Sequence, residues 1–240
     1  MASLELASRE RVVADMVATA DGRAAVDGRS VALGHPEDRA LLRELRAAAD
    51  AILVGTGTLA AERYASLLDD EARERRVAEG RPPHPLVVTI SRRLDLPIAA
   101  APIFSEPGVP ILAFAEAAAP AEAVPSAGAV PSAEPPPLPA VAADLEVVRL
   151  PAPLSFADVL AALRARGVKG VLCEGGPSLL RRLVAEDQLD DLCLTVAPLL
   201  AAGGGPSVLA GEVLPGLPRL RLRDVHRADD HLFLHYGLRP

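Results

Sequence analysis

The stretch Val168-Lys169-Gly170-Val171-Leu172-Cys173-Glu174-Gly175-Gly176-Pro177-Ser178-Leu179-Leu180-Arg181-Arg182-Leu183-Val184-Ala185-Glu186-Asp187 decides the fold class. A short apolar run ends in a carboxylate, two glycines and a proline follow, and a helical pattern begins. Proline suits the first helical position, where its missing N–H would have no partner anyway. The glycines let another molecule approach the backbone closely. The free N–H groups and the positive dipole end of a helix favour a phosphate. The segment therefore reads as a strand, a bare turn and an anion-binding helix start with Glu174 at its lip. The competing reading is a tight strand-to-helix turn with an exposed Glu, and the rest of the chain has to decide.

Working outward, the same strand-and-helix rhythm recurs. Residues 11–19 read as a strand, followed by turns at Asp21-Gly22 and Asp27-Gly28. Pro36-Glu37-Asp38 opens a helix whose Leu41, Leu42, Leu45 and Ala49 share a face. Ala51–Val54 is a short buried strand running into Gly55-Thr56-Gly57-Thr58, with a charged helix expected to continue to about Glu79. Strands are expected at 86–90, 109–114 and 145–150, and Ser155 with Asp158 forms a capping-box variant for a helix ending near Gly167. Residues 191–198 form a strand before a Gly203-Gly204-Gly205 loop, and residues 220–227 and 231–238 alternate as a closing antiparallel pair. Alternating strands and helices imply an α/β sandwich with a mostly parallel sheet, made mixed by that hairpin. Residues 115–142, almost wholly Ala, Pro, Glu and Ser, read as a flexible insertion within a single domain spanning 1–240.

Composition narrows the function classes. The net charge of -7 argues against a nucleic-acid binder, which would present a basic face. Aromatic residues are 2% with no Trp, so a ligand ring is expected to pack on aliphatic side chains and backbone. Cys173 and Cys193 each fall in an expected buried strand and read as core thiols in a reducing compartment, with a disulfide as the alternative. No Cys/His spacing suggests a metal. The N-terminus lacks a signal-peptide pattern and no run of 18 apolar residues occurs, so a soluble cytoplasmic protein without membrane contact is expected.

Gly55-Thr56-Gly57-Thr58-Leu59-Ala60 fits G-x-G-x-x-A directly after a strand, a weak pattern alone. A dinucleotide fold with a 2′-hydroxyl would want an acid at the end of the next strand. That strand ends instead in Ser91-Arg92-Arg93, which suits a 2′-phosphate and favours NADPH, unless the two arginines simply face water. A strand and a helix precede the first glycine turn, so the topology is not Rossmann. The two glycine turns would clasp one dinucleotide from two sides.

Four segments resemble, in order, the C-terminal reductase domain of the bifunctional riboflavin-biosynthesis deaminase/reductase. They are Met16–Arg23, Asp50–Thr58, Glu174–Leu179, and Leu189–Leu192 with Ala197-Pro198. The resemblance implies a dihydrofolate-reductase-like three-layer sandwich, NADPH, a homodimer, and reduction of 5-amino-6-(5-phosphoribosylamino)uracil at the sugar C1′. The family's cofactor contacts fall on Val17, Thr58, Glu62, Ser91, Gly175, Gly176, Pro177, Ser178 and Leu179. Its substrate contacts fall on Ser30, Arg46 and Glu174, with Arg46 either meeting a phosphate or solvated on its helix. Asp21 matches a family Asp and either orients its turn or supplies a proton. The deaminase partner domain is absent from this sequence, which implies a stand-alone reductase.

The chain departs from the family at named places. Asp15 stands where riboflavin reductases usually carry Lys, and Ala32 where many carry Trp. A carboxylate at position 15 weakens the case for an anionic ligand there and suits a protonated heterocycle. Three expectations follow: an aminouracil-phosphate reductase, a dihydrofolate or pteridine reductase on the same fold, or a nucleotide-binding module without turnover.

Overall fold

The computed structural model describes residue 6, residues 9–117 and residues 139–238. Nine strands form one sheet: β1 (Arg11–Thr19), β2 (Ala51–Leu53), β3 (Leu86–Ile90), β4 (Pro110–Glu116), β5 (Asp144–Leu150), β6 (Gly170–Cys173), β7 (Asp191–Ala197), β8 (Arg221–Ala228) and β9 (His231–Gly237). Their order is β5-β4-β3-β2-β6-β1-β7-β9-β8. Pairing from β5 through β7 is parallel, and the β8–β9 hairpin joins β7 antiparallel. The α/β class, the mostly parallel sheet and the closing hairpin are as the sequence implies.

Helices cover both faces because the central strands are apolar on both sides. Helices α1 (Pro36–Ala48), α2 (Thr56–Ala61) and α3 (Asp70–Ala78) pack Leu45, Leu59 and Ala72 against Val13 and Ile52. Helices α4 (Phe156–Arg164) and α5 (Pro177–Ala185) pack Phe156, Leu160, Leu180 and Leu183 against Val12, Ala14 and Leu53. Ser155 caps α4 as expected, its hydroxyl accepting from the Asp158 N–H at 3.1 Å.

Two expectations about boundaries are corrected. The charged helix after Gly57 is two helices, because the chain turns at Arg63 (φ 51°) and buries Leu67 and Leu68 before Asp69 caps α3 through the Ala72 N–H. β4 reaches Glu116, two residues into the segment read as an insertion, because it pairs with β5 over all seven of its residues. Residues 118–138 of that segment lie outside the described residues.

The end of α1 is held by side chains rather than by a glycine cap. Buried Arg76 donates to the carbonyls of Ala47 at 2.8 Å and Ala49 at 2.7 Å, and Arg81 donates to those of Ala47, Ala48 and Ala49. These carbonyls would otherwise lack intrahelical partners. Asp50, just beyond, accepts the backbone N–H groups of Lys169 and Gly170 and so fixes the start of β6 beside β2. Arg76→Ala should cost about 3 kcal/mol of stability, since charged hydrogen bonds to buried carbonyls are lost and the carbonyls stay buried. Urea unfolding measures this, and an unchanged midpoint would show that Arg81 alone suffices.

Candidate active site

A cavity of about 550 Å³ opens beyond the carboxyl ends of the central parallel strands. β6 ends at Cys173, which pairs with Ala14, so β1 runs on past it from Asp15 to Thr19 with β7 on its other side. That staggered ending exposes the side chains of β1 to the cavity. In open α/β sheets ligands lodge at such crevices, where neighbouring strands connect in opposite directions.

The two glycine turns meet on the cavity wall. The Gly55 N–H donates to the Gly175 carbonyl at 2.8 Å, and the Glu174 N–H donates to the Leu53 carbonyl at 3.0 Å. Gly175 has φ +83°, a conformation that side-chain-bearing residues rarely adopt. A Cβ on Gly176 would stand 2.8 Å from Thr58 Oγ1, and one on Gly175 would stand 3.2 Å from Met16 Sδ. The Gly175–Gly176 peptide bond is cis. Pro177 then starts α5, and Gly175, Gly176, Pro177, Ser178 and Leu179 all line the cavity. Val17, Thr58 and Glu62 line it as well. Glu62 accepts the Ser30 N–H at 2.6 Å, tying α2 to the segment that carries Ser30, another lining residue. Ser91 follows the lining residue Ile90 at the end of β3, where its hydroxyl donates to the Asp95 carbonyl at 3.2 Å. Arg92 and Arg93 are exposed beside it.

Glu174 is buried and fully engaged. Arg46 from α1 grips it with two parallel bonds of 2.7 and 2.6 Å, and the Tyr64 hydroxyl donates to it as well. Burial opposes the Arg46 charge, but the Glu174 carboxylate outweighs it and leaves the guanidinium pKa above its ordinary value. Burial and the same carboxylate push the Tyr64 phenol well up, so it stays protonated and donating. The competing reading of an exposed Glu174 is thereby overturned. Of the two readings of Arg46 the solvated one is overturned, since its Nε and one Nη are bonded to Glu174. Tyr64 was not anticipated, because a lone aromatic between helices carries no spacing signal.

Asp15 is different. It lies on the same face of β1 as buried Val13, where the two-residue period calls for an apolar side chain. Its Oδ1 is shielded from solvent and has no hydrogen-bond partner. Burial pushes its pKa well above the usual carboxylate range, Asp38 and Glu174 push the same way, and Arg46 opposes them. Asp38, Leu42 and Arg46 recur every four residues, forming one stripe of α1. Asp38 also lines the cavity, and its pKa is raised by burial against a hydrogen bond with the Thr195 side chain. The sequence marked it only as an acid in a helix's first turn.

Asp21 is not among the lining residues. It accepts the Thr19 hydroxyl at 2.6 Å and the backbone N–H groups of Ala201 and Ala202 at 3.0 and 2.7 Å. The Thr19 bond, then the two backbone bonds, lower its pKa to about 2. Asp21 thus ties its turn to the 198–206 loop, whose Pro206 forms part of the cavity rim. Among the described residues no group of three or more His, Cys, Asp or Glu side chains could hold a metal.

The family model described as the RibD C-terminal domain matches residues 10–234. The chain belongs to this family. A curated relative, 2,5-diamino-6-ribosylamino-4(3H)-pyrimidinone 5′-phosphate reductase of Archaeoglobus fulgidus, is 29% identical over 91% of this chain and 94% of its own. Riboflavin biosynthesis protein RibD of Mycobacterium tuberculosis is 31% identical over 80% of this chain, which takes up only 43% of that protein. Among solved structures, a pyrimidine reductase-like protein from Corynebacterium diphtheriae superposes with a TM-score of 0.76 at 24% identity, over 95% of this chain and 91% of its own. Acinetobacter baumannii RibD gives 0.68 at 19% identity, over 95% of this chain and 58% of its own. These two likenesses bear on the fold.

The state of Asp15 has a measurable consequence. A folded-state pKa raised above the unfolded one means that the folded protein keeps its proton while the unfolded chain ionises. Stability therefore falls as pH rises from the ordinary carboxylate value toward the raised one. Asp15→Asn removes that slope. Its Tm should exceed the parent's by at least about 3 °C at pH 8 and converge with it near pH 4. A parent that is the more stable of the two at pH 8 would mean that Asp15 is ionised and paired.

Proposed function

We propose that this protein is an NADPH-dependent reductase of riboflavin biosynthesis acting on 2,5-diamino-6-ribosylamino-4(3H)-pyrimidinone 5′-phosphate. The observation that carries this is a single cavity joining a glycine-walled helix start to the carboxyl groups of Asp15, Asp38 and Glu174. The glycine turns and the α5 N-terminus suit a pyrophosphate, because no side chain caps the helix start and its N–H groups. Ser91, Arg92 and Arg93 suit a 2′-phosphate, which supports NADPH over NADH. When bound, the cofactor supplies the hydride. The chain's own contribution is to hold the two reacting carbons together and to keep water out.

Asp15 is the residue that supports a choice between the two pyrimidines of this chemistry. A carboxyl group in either protonation state can accept a hydrogen bond from an exocyclic 2-amino group. Against the 2-oxo group of the aminouracil an ionised carboxyl is repelled, whereas a protonated one can donate its O–H, so the preference for the diamino compound rests on Asp15 being ionised when ligand is bound. The reductase of Archaeoglobus fulgidus is named for the 2-amino compound, which supports the same choice. The pterin of dihydrofolate carries the same 2-amino-4-oxo edge without the ribose phosphate, so dihydrofolate is the informative control. Arg46 and Tyr64 hold Glu174 in place beneath the ligands, and Asp21 holds the rim. Two buried thiols fit a reducing compartment, the cytoplasm.

Saturating NADPH should raise Tm by about 5–10 °C through linkage. The parent should oxidise NADPH faster with the diamino compound than with the aminouracil, and not with dihydrofolate. Asp15→Lys should move the ratio of the two kcat/KM values at least about tenfold toward the aminouracil. An unmoved ratio would remove Asp15 from substrate choice, and no response to NADPH would remove the reductase reading.

The same reading includes a homodimer. β8 is an edge strand, and its Leu222 and Val225 are half-exposed, with Leu232 of β9 beside them. An unpaired apolar edge is a pairing surface. Sedimentation should give the mass of two chains, and Val225→Lys should shift it toward one. A single-chain mass for the parent would leave this edge free.

A further inference from the structure

The cavity wall includes one charged side chain, Arg182, with no role so far. Asp15 is on β1 and Ile90 on β3, and the order β3-β2-β6-β1 separates them by three strand spacings, roughly 14 Å. Ile90 of β3 lines the cavity together with Phe156 of α4 and Leu179 and Arg182 of α5. Arg182 stands on α5, six residues or about 9 Å of helix beyond Gly176. That leaves room for one ribose between a pyrophosphate at the helix start and a base beside Arg182.

The Arg182 guanidinium is braced by three partners. Its carbon lies 4.9 Å from the centroid of the Phe156 ring. One of its nitrogens donates to the Leu154 carbonyl at 2.7 Å and to Glu186 Oε1 at 3.0 Å. Glu186 is itself held by the Phe156 N–H at 2.5 Å. Phe156 is only 1% exposed, so its ring backs the arginine rather than presenting a face to a ligand.

We infer that Arg182 is the stacking platform for the adenine ring of the dinucleotide, with Ile90 packing against the ring's opposite face. The inference rests on the pyridine-dinucleotide reading above. A chain with no Trp and 2% aromatic residues lacks the usual ring platform. A guanidinium is flat, weakly hydrated and stacks on π faces, and one already braced by carbonyl, carboxylate and ring loses little freedom on binding. The proposed site pairs an aliphatic wall, as the low aromatic content implies, with a planar cation on the other face. Arg92 and Arg93, next in sequence after Ile90 and Ser91, supply charge beside the adenosine where a 2′-phosphate would lie.

Calorimetric titration with ligand fragments tests this without turnover. The probes are NADPH, adenosine 2′,5′-bisphosphate and reduced nicotinamide mononucleotide, each with the parent, Arg182→Leu and Arg182→Lys. Both variants should lose about tenfold in affinity for NADPH and for the adenosine bisphosphate, and neither should change for the mononucleotide. Lys keeps the charge but not the plane, so full affinity in Arg182→Lys would overturn stacking in favour of simple charge attraction. Unchanged adenosine bisphosphate binding in Arg182→Leu would overturn any role for Arg182. Equal losses for all three probes would mean a general distortion of α5 and would also overturn the assignment. A parent that binds none of the probes would defeat the dinucleotide reading itself, and the inference with it.

Discussion

The grip of Arg46 on Glu174 is the contact on which the cavity depends. Glu174 directly follows a four-residue strand at the centre of the sheet, and Arg46 lies in the last turn of the helix of the first crossover. Their two parallel bonds fix the height of α1 over the sheet, and Tyr64 fixes the chain after α2 to the same carboxylate. A fork-to-fork pair has a defined plane as well as a distance. It therefore sets the orientation of the α1 stripe that carries Asp38 toward Asp15. Arg76 and Arg81 complete the arrangement from outside by holding the carbonyl end of α1. A buried ion pair of this kind adds little net stability, but removing either partner strands the other charge.

The cavity divides its chemistry along the sheet. Over β3 and the start of α5 it offers glycine backbone, an N-terminal helix end and arginine. Over β1 it offers carboxyl groups. Asp15 is the unusual member, because a β strand that packs Val13 against the core continues with an acid whose buried oxygen has no partner. An unsatisfied buried polar atom costs free energy in a bare protein. Such an atom is retained where a ligand supplies the missing partner, and local stability is given up for recognition.

Much of this was legible in the sequence because it was written in local patterns. The apolar runs, the Pro36 and Pro177 helix starts and the Ser155 cap required no tertiary information. The lining positions around Gly175–Leu179, Val17 and Thr58 followed from motif resemblance and from glycine spacing. What escaped depended on distant partners. No glycine or proline separates α2 from α3, and the break is made by Tyr64 reaching Glu174 and by burial of Leu67 and Leu68. The Asp69-Asp70-Glu71 cluster was the signal that could have found the α3 start. Residue type alone does not reveal that a carboxylate 128 residues away holds the Arg46 fork.

The two cysteines lend themselves to a practical use. Both are free and buried, burial raises the Cys173 thiol to about 12, and burial likewise raises Cys193. Thiolate is the reactive species, so neither native sulfur competes for an alkylating dye at neutral pH. A single cysteine introduced on an exposed rim position would then be the sole point of fluorophore attachment. The unmodified chain is thus a ready background for following ligand entry optically.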